Sequence, residues 1–309
     1  MVSVIIPTYN QAKFLGYAID SVFSQTHKNF ELIIVDNHSE DQTEELVSSY
    51  KDPRIRYFIF KNHGIIAASR NLGIDNSTGE YVAFLDSDDL WKHDKIEKQL
   101  DVFKKNPEAG IVYSDYEIIG ENGEPVSRRY TPIHYEGNIT RKLLHYNFAA
   151  LSSVIIKRSC LEDTGKFNEH KELVTCEDWE LLLRLSLKYK FYWTHSRDLF
   201  YRIHQGSKSN SQERVAAILA ALDSFYSLSN LPETIHQIKN SVYSNAFKLA
   251  AMHCFHLHDY AKVRKLTYKV FTNDLKQTDT TLLRNYVLSF LGSRLLHTIT
   301  KIYYKIRNM

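Results

Sequence analysis

The sequence contains little cysteine and no long apolar run. Its three cysteines, Cys160, Cys176 and Cys254, are too few and too widely spaced for a disulfide framework or a zinc knuckle, and they indicate a reducing compartment such as the cytoplasm. No uninterrupted apolar stretch approaches the roughly 20 residues that a membrane-spanning helix needs. The apolar start of the chain has no basic region and is interrupted at Pro7, so we expect a strand there and not a signal peptide.

A strong charge of either sign is absent as well. The formal net charge is +3 over 309 residues, which gives no indication of a nucleic-acid partner. With 43% hydrophobic and 24% charged residues, the composition is that of a globular protein and not of a disordered or fibrous one. A chain of this length can bury one large core or two modest ones.

The first part of the chain alternates between strand-like and helix-like patterns. Strands are predicted at residues 3–7, 31–35, 55–60 and 81–85, the first and the last of them buried, with apolar residues at helical spacing between the strands. Ser39 and Gln42 form a capping-box pattern, which predicts that a helix starts there. The alternation predicts an α/β fold with a mostly parallel central sheet and helices on both faces, in which ligands bind at the carboxyl ends of the strands.

The pattern becomes mixed after Pro107. Short strands are predicted at residues 111–115 and 152–157, and residues 121–124 carry the signal of a tight hairpin turn. After residue 210, long helical patterns run to the end of the chain. We therefore expect one α/β domain at residues 1–210 and a helical extension at residues 211–309.

One buried strand ends abruptly in an acidic segment, Asp86-Ser87-Asp88-Asp89. Carboxylates this close repel one another unless a cation lies between them, and oxygen ligands at this spacing suit Mg²⁺ or Mn²⁺ better than zinc. The alternative is a solvated acidic turn.

Polar groups also follow two other predicted strands. Pro7 is followed by Thr8, Tyr9 and Asn10, and the second strand ends at Asp36. Because the carboxyl ends of parallel strands share one edge of the sheet, an aromatic face, a carboxylate and the acidic segment should converge there, as a nucleotide site requires. Singly, Tyr9 could pack sideways on the sheet, and Asp36 could cap the following helix.

Further charged groups lie in the other segments of the predicted domain. Arg70 is a cation that could reach the phosphates of a nucleotide. Glu177 and Asp178 stand at the start of a predicted helix, where they could also simply complement the helix dipole. Arg202 and His204 lie at the end of a late strand. His204 could bind a metal ion, contact a phosphate or have a purely structural role.

Taken together, the first 210 residues resemble a family 2 glycosyltransferase with the GT-A fold. The segments that match the family's motifs, in order, are residues 4–10, 34–39, 62–71, 84–89 and 177–179, and the pair Arg202 and His204. His38 is a mild departure, since the family more often has Gly or Ser there. The last hundred residues or so match nothing in the shared pattern.

The resemblance implies an inverting transfer of a sugar from a nucleotide-diphosphate donor, most often a UDP-sugar, to an acceptor hydroxyl in polysaccharide or glycolipid synthesis. It makes Asp88 the direct ligand of Mn²⁺ or Mg²⁺, helped by Asp86 and His204. It makes Asp178 the catalytic base, with Glu177 as the fallback. The residues that it assigns to donor binding are Pro7, Thr8, Tyr9, Asn10, Asp36, Asn62, Gly64, Arg70, Asn71, Asp86, Ser87 and Arg202.

Three rival classes of protein fit these residues less well. A phosphohydrolase of the haloacid dehalogenase type also has Asp-x-Asp at a strand end, but after its first strand and not after the fourth. A nucleotide-sugar-binding protein without activity would not need the acid pair at Glu177 and Asp178. A dinucleotide oxidoreductase is disfavoured because no Gly-x-Gly-x-x-Gly follows the first strand.

The end of the chain concentrates positive charge. From Asp259 to Met309 there are ten Lys or Arg residues and three Asp, together with apolar residues at roughly helical spacing. That combination predicts a helix in the interface of an anionic membrane, which would make the protein peripheral at the inner face of the cell membrane. The alternative is a helical subdomain that packs on the catalytic domain or on a second subunit in a homodimer.

Overall fold

The fold is described from a computed structural model of the chain at residues 1–126, 134–206 and 214–290. The chain divides into two compact units, Met1–Ala221 and Leu222–Met309. The domain boundary predicted at residue 210 lies outside the described residues.

The first unit is built on an eight-stranded sheet. In chain order the strands are β1 (Val2–Thr8), β2 (Phe30–Asp36), β3 (Ile55–Ile59), β4 (Tyr81–Phe84), β5 (Leu90–Trp91), β6 (Ala109–Ile119), β7 (Ile155–Lys157) and β8 (Lys190–Arg202). Their order across the sheet is β3-β2-β1-β4-β7-β6-β8-β5.

The sheet is parallel on one side and mixed on the other. Strands β3, β2, β1 and β4 run parallel, and Thr8 at the end of β1 pairs with Asp36, which pairs with Ile59 in β3. Strand β7 runs antiparallel to both β4 and β6, whereas β6 and β8 are parallel and β5 is antiparallel to β8. The predicted change from parallel to mixed order is confirmed, and three neighbouring strands end at one level.

Seven helices of the described first unit precede residue 190. They are α1 (Ala12–Phe23), α2 (Thr43–Ser49), α3 (Ile66–Asp75), α4 (Lys95–Lys105), α5 (Thr140–His145), α6 (Arg158–Thr164) and α7 (Glu177–Ser186). They lie on both faces of the sheet, which explains why every residue of β1 is buried. On one face Val4 and Ile6 share a core cluster with Leu15 and Ile19 of α1. On the other face, α3 approaches Ile5.

Helix α3 comes close to the sheet because Gly73 faces it. A Cβ atom at Gly73 would lie 2.4 Å from Ile5 Cγ2, a distance that side chains do not tolerate. Glycine at this position therefore sets the distance between α3 and β1, and α3 carries Arg70 and Asn71 toward the ends of the strands.

The predicted capping box at Ser39 is wrong. The backbone N and the hydroxyl of Ser39 both donate to Asp36 Oδ1, at 3.0 and 2.6 Å, so Ser39 belongs to the loop after β2. Helix α2 begins only at Thr43, and its Gln42 N-cap makes no side-chain capping bond. The carboxylate at the end of the strand competes successfully for the serine that the local pattern assigned to the helix.

Two other local predictions are decided by the structure. The turn at residues 121–124 is confirmed, since Gly120 N donates to Glu124 O (2.8 Å) and Val126 N to Ile118 O (3.0 Å). The strand predicted at residues 152–157 is shorter, because Leu151–Ser153 forms a 3₁₀ turn before β7.

The second unit is helical in its described part, as predicted. Helix α8 (Arg214–Tyr226) crosses the division, followed by α9 (Glu233–His236), α10 (Lys239–His256), α11 (Tyr260–Asn273) and α12 (Thr280–Leu288). Asp259 and Asp279 cap α11 and α12 by accepting from Lys262 N and Leu282 N. None of the helices in the described ranges combines the length and the apolar character that crossing a bilayer requires.

Candidate functional site

The loop after β1 presents an aromatic ring to solvent. Pro7 and Thr8 are buried in the strand, whereas Tyr9 is 50% exposed, so the alternative that Tyr9 packs sideways on the sheet is wrong. Asn10 ties this loop to the next one, because its N donates to Ser39 Oγ (2.8 Å) and its Oδ1 accepts from Glu40 N (2.8 Å). The loop that carries Tyr9 is thus tied to the loop after β2, and the ring of Tyr9 remains accessible.

Asp36 is a buried carboxylate at the end of β2. Besides the two bonds from Ser39, it accepts a hydrogen bond from the Tyr57 hydroxyl at 2.6 Å. It does not cap α2, which begins seven residues later at Thr43. Burial, and after it the hydrogen bond to Asp36 and the charge of that carboxylate, raises the pKa of Tyr57, so the phenol remains a hydrogen-bond donor to Asp36.

The loop between β3 and α3 is organised by Asn62. Its N donates to Asn37 Oδ1, its Nδ2 donates to Ser69 Oγ, and its Oδ1 accepts from Gly64 N, each at 2.8 Å. Gly64 has a left-handed backbone with φ of 83°. This part of the predicted donor site is therefore connected by hydrogen bonds to the loop after β2.

Asn71, on α3, fastens a distant loop. Its Nδ2 donates to Phe167 O (2.9 Å) and Glu169 Oε1 (2.7 Å), and its Oδ1 accepts from Phe167 N (3.0 Å). Phe167 in turn lies under the guanidinium of Arg70, at 5.5 Å from its ring centre.

Arg70 joins two acidic motifs that are far apart in sequence. Its Nη2 donates to Asp86 Oδ1 (2.8 Å) and its Nη1 to Glu177 Oε1 (2.6 Å), and its side chain is only 4% exposed. Burial opposes the charge, but the carboxylates of Asp86 and Glu177 outweigh it and raise the pKa of Arg70. The cation therefore stays charged and holds the end of β4 beside the start of α7.

The acidic segment after β4 is not a solvated turn. Asp89 is buried and its Oδ1 accepts from Arg202 N (3.0 Å), while Arg202 Nε donates to Asp88 O (2.8 Å). His204 Nε2 lies 3.0 Å from Asp88 Oδ2. Burial and then the charges of neighbouring aspartates raise the pKa of Asp88 and, further, that of Asp89. Negative charge is thus concentrated in a poorly solvated place.

The donor atoms at this place fit a hard divalent cation in part. Asp88 offers a carboxylate beside the His204 imidazole, and Asp86 has one oxygen on Arg70. Within residues 1–126, 134–206 and 214–290, no group of three or more His, Cys, Asp or Glu side chains is arranged to hold a metal ion. Mg²⁺ commonly takes one or two carboxylates from the protein and its other ligands from substrate phosphates and water, and the site matches that pattern.

Glu177 and Asp178 differ sharply although they are neighbours in the first turn of α7. Glu177 is buried, with Oε1 on Arg70 and Oε2 accepting from Thr175 N (2.8 Å). Asp178 is half-buried, and the bond that its Oδ1 accepts comes from Trp179 N (2.7 Å). Burial and then the charge of Glu177 raise the pKa of Asp178 to about 7, against the opposing effect of Arg70.

Some residues of the site were not found from the sequence. Phe14, in α1, packs its ring against His204 (4.9 Å between ring centroids) and Arg202 (5.0 Å from its guanidinium carbon to the ring centroid). Ser152 Oγ accepts from Asp86 N at 3.1 Å. No local signal connects either residue to the acidic segment, because the contacts span 66 positions or more.

Comparisons with known proteins agree with this geometry. A family model described as Glycosyl transferase family 2 matches residues 3–165. An uncharacterized glycosyltransferase of Rickettsia typhi is 30% identical over 325 residues, covering 99% of this chain and 96% of that protein. One from Rickettsia felis is 45% identical over 157 residues, which are 50% of this chain and 25% of that protein, so the chain spans about a quarter of that relative. The amylovoran biosynthesis glycosyltransferase AmsB of Erwinia amylovora is 32% identical over 199 residues, covering 61% of this chain and 65% of that protein.

The fold is shared with a solved structure. TarS 1-349 of S. aureus has a TM-score of 0.59 at 17% identity, covering 93% of this chain and 89% of that one. The same protein in complex with UDP-GlcNAc has a TM-score of 0.57, covering 93% of this chain and 79% of that one. At this identity the likeness concerns the fold alone, and it confirms the expected GT-A architecture. From the family match and the rickettsial relative that is covered almost end to end, the chain belongs to glycosyltransferase family 2.

Proposed function

We propose that this protein is an inverting glycosyltransferase that moves a sugar from a nucleotide-diphosphate donor, a UDP-sugar, to an acceptor hydroxyl during polysaccharide or glycolipid synthesis. The named role of AmsB in amylovoran biosynthesis and the UDP-GlcNAc complex of TarS support this class of reaction. The chain covers only part of several relatives, so the proposed activity is argued from the residues of the site.

The observation that carries the proposal is the double ion pair of Arg70. One buried guanidinium contacts Asp86 in the acidic segment and Glu177 beside Asp178, at 2.8 and 2.6 Å. The acidic segment, on the side of the leaving group, and Asp178, on the side that accepts the proton, would thus face one crevice. A displacement at a sugar carbon requires both groups in one place. A protein that only bound nucleotide sugars would have no use for a base next to this arrangement.

The donor nucleotide would lie across the ends of β1, β2 and β3. The exposed ring of Tyr9 is suited to stacking on a base, and Asp36 to accepting from a base N–H. Thr8 Oγ1 is buried without a hydrogen-bond partner in the described part of the chain, which leaves a donor and acceptor for a ligand. The loop residues Asn10, Asn62 and Gly64 would frame the nucleotide, and Arg70, Asn71, Ser87 and Arg202 its diphosphate side.

For the leaving group, Asp88 would be the direct protein ligand of Mn²⁺ or Mg²⁺, with Asp86 and His204 beside it, and substrate phosphates and water would supply the other ligands. When bound, such an ion would neutralise the charge that develops on the departing nucleoside diphosphate. Arg202 fixes the backbone of the acidic segment through Asp88 O and Asp89, so Asp88 is held in one orientation.

For the attacking group, Asp178 would take the proton of the acceptor hydroxyl. A general base works best when its pKa lies near the working pH, and the pKa of Asp178 is raised to about 7. Glu177 is less suited to the role, because both its oxygens are already engaged.

The proposal is tested at Asp88. Wild-type protein is screened for thermal stabilisation by nucleotide sugars with and without Mn²⁺, and release of the nucleotide is then measured with acceptor present. Asp88→Asn keeps the shape and removes the ligand charge, so transfer should fall to near background while the melting temperature stays close to that of the wild type. Asp101→Asn, an equal change of charge on the exposed surface of α4, is the control and should leave transfer unchanged.

Two results would contradict the proposal. One is equal activity of wild type and Asp88→Asn in Mn²⁺, or full activity after exhaustive metal removal with EDTA, which would remove the metal role. The other is release of phosphate without any acceptor, which would indicate a phosphohydrolase.

We also propose that the protein is cytoplasmic and contacts an anionic membrane through residues 259–309, with homodimerisation as the competing use of that surface. The concentration of Lys and Arg in this segment supports the membrane contact.

A further inference from the structure

Thr175 has a backbone conformation that threonine rarely adopts. Its φ is 84°, in the left-handed region that favours glycine, and β-branched residues are the least suited to it. It lies two positions before Glu177 and three before Asp178. Strained residues of this kind persist where the surrounding structure or a function maintains them.

No hydrogen bond of the Thr175 side chain in the described residues offsets this strain. Its Oγ1 is buried and has no hydrogen-bond partner in the described residues. The bond that the residue does make, from its N to Glu177 Oε2 (2.8 Å), uses only the backbone and would be available to any residue except proline. The fold therefore explains neither the branched side chain nor the hydroxyl at this position.

A ligand would explain the hydroxyl. We propose that Thr175 is an acceptor-binding residue, whose hydroxyl contacts a hydroxyl of the acceptor sugar and helps to place the attacking oxygen beside Asp178. This inference rests on the proposed function.

The acceptor is favoured over the donor for a geometric reason. The attacking hydroxyl must come within hydrogen-bond reach of the base, and Thr175 lies three positions before Asp178, in the turn that leads into α7. The residue is partly exposed although its Oγ1 is buried, so the proposed contact requires a rotation about χ1 when the acceptor binds. A hydroxyl that both donates and accepts matches a sugar hydroxyl, whereas a phosphate would be better served by a cation.

Two variants separate the hydroxyl from the shape of the side chain. Thr175→Val keeps the branched shape and the strain but removes the hydroxyl, and Thr175→Ser keeps the hydroxyl. For Thr175→Val we expect the acceptor KM to rise by about three- to tenfold, the usual effect of losing one uncharged hydrogen bond. The donor affinity, measured by thermal shift with a nucleotide sugar and Mn²⁺, should be unchanged, and Thr175→Ser should keep an acceptor KM close to that of the wild type.

Stability gives an independent reading. Because Thr175→Val removes a buried hydroxyl without a partner, its melting temperature should equal or exceed that of the wild type. A rise in acceptor KM together with undiminished stability is the expected combination, and a purely structural role would not produce it.

The failures of the two proposals can be told apart. A wild-type protein that transfers sugar from no donor contradicts the proposed function. A wild type that transfers sugar, with Thr175→Val showing the same acceptor KM, contradicts the role of Thr175 alone. A Thr175→Ser variant as impaired as Thr175→Val would also overturn it, since the hydroxyl would then not be the group that matters.

Discussion

At the scale of single residues, the difference between Glu177 and Asp178 decides which acid can act as a base. Glu177 is held by Arg70 on one oxygen and by a backbone N–H on the other, so a proton on it would break a buried ion pair. Asp178 is half-buried beside that pair, and burial together with the charge of Glu177 raises its pKa. The resemblance assigned the base to Asp178 with Glu177 as the fallback, but the contacts that distinguish the two acids are visible only in the structure.

Asp178→Asn should therefore affect the chemical step. Removing a general base typically costs about 10²–10⁴-fold in rate, so kcat should fall by that order while donor affinity stays within a few fold. The measurement is kcat at saturating donor and acceptor, with donor affinity from thermal shift. A donor affinity that falls as far as kcat would assign Asp178 to the donor site instead.

The pH dependence of the reaction follows from the same residue. A base must be deprotonated to work, and the pKa of Asp178 is raised to about 7, so kcat/KM should rise between pH 6 and pH 8 and level off above. The residual activity of Asp178→Asn should lack this rise, and a variant that keeps the wild-type profile would contradict the assignment.

The sequence drew attention to candidate residues more readily than to their partners. Asp36 and the acidic segment follow strands and Asp178 begins a helix, which are local features, whereas the roles expected of them came from the family resemblance. Arg70 was expected near phosphates, but its contact with Glu177 spans 107 positions and no periodic pattern predicts it. Ion pairs of this kind depend on how α3 and α7 pack, so they require the tertiary structure.

At the scale of elements, the packing of α3 on β1 depends on a single glycine. Gly73→Ala would place Cβ 2.4 Å from Ile5 Cγ2, so α3 must shift, and overpacking of this kind costs about 1–3 kcal/mol. Gly16→Ala in α1 is the matched control, since its nearest neighbour, Leu46 Cδ1, is 3.7 Å away. That variant should be more stable than the wild type by up to about 1 kcal/mol, because alanine favours the helix.

Denaturant unfolding of both variants checks these opposite signs. Since α3 carries Arg70, Gly73→Ala should also weaken transfer, whereas Gly16→Ala should leave it intact. Equal effects of the two substitutions on stability would show that the contact with Ile5 does not limit the approach of α3.

Helix α4 contains a buried lysine that no sequence pattern predicted. Lys95 is fully buried, its Nζ donates to Gln99, and it lies 4.2 Å from the centre of the Trp91 ring. Burial lowers the pKa of Lys95 to about 7, well below the value of about 10.4 in an unfolded chain. Between these two values the unfolded chain binds more protons, so the contribution of Lys95 to stability becomes more favourable as pH rises.

Lys95→Met should therefore change the pH dependence of stability. The difference in melting temperature, variant minus wild type, should be most positive near pH 6.5 and should decline toward pH 9.5. It declines because the wild type gains stability as its buried lysine loses its proton. The lost bond to Gln99 shifts this difference equally at every pH, so the slope is the diagnostic quantity. Lys104→Met, at an exposed site on the same helix, should show no such slope, and a flat difference for Lys95→Met would contradict the lowered pKa.

Elements were predictable where periodicity or burial is strong and not where local signals compete. The strands of the parallel half were placed within a residue or two, because runs of apolar residues mark them, even though β3 is only partly buried. The capping box failed because Asp36, three positions before Ser39, offers a stronger partner for its hydroxyl. The 3₁₀ turn at Leu151–Ser153 was missed since Ser152 and Trp91 meet only in the folded chain.

At the scale of the whole molecule, charge is segregated along the chain. Residues 259–309 carry ten basic and three acidic side chains, a net charge of +7, so the first 258 residues carry −4 of the total of +3. Part of this segment is already used for packing: Val263 and Leu282 are buried, and Leu282 is one of the apolar residues from which the interfacial helix was predicted. Most of the other apolar residues of the predicted interfacial helix lie after residue 290, outside the described residues.

The described part leaves another apolar stripe uncovered. On and just after α12, Leu283, Val287 and Phe290 are 44%, 62% and 62% exposed, at the spacing of one helix face. Exposed apolar residues beside an excess of Lys and Arg are typical of a surface that binds anionic lipid, where each nearby basic residue contributes about 1 kcal/mol. The apolar stripe and the basic charge should then act together, and each can be changed separately.

Liposome sedimentation of the full-length protein tests the membrane contact. The wild type should pellet with anionic vesicles at low salt, stay in solution with neutral vesicles, and be released by high salt, because screening weakens the attraction. Replacing Leu283, Val287 and Phe290 by serine should reduce the bound fraction, and so should neutralising Lys262, Lys265 and Lys276. Tyr17→Ser with Ile59→Ser removes exposed apolar side chains from the first unit and should leave binding unchanged. If the wild type ignores anionic vesicles and the serine variant instead loses a dimer seen by light scattering, the stripe is a subunit interface and the membrane contact is excluded.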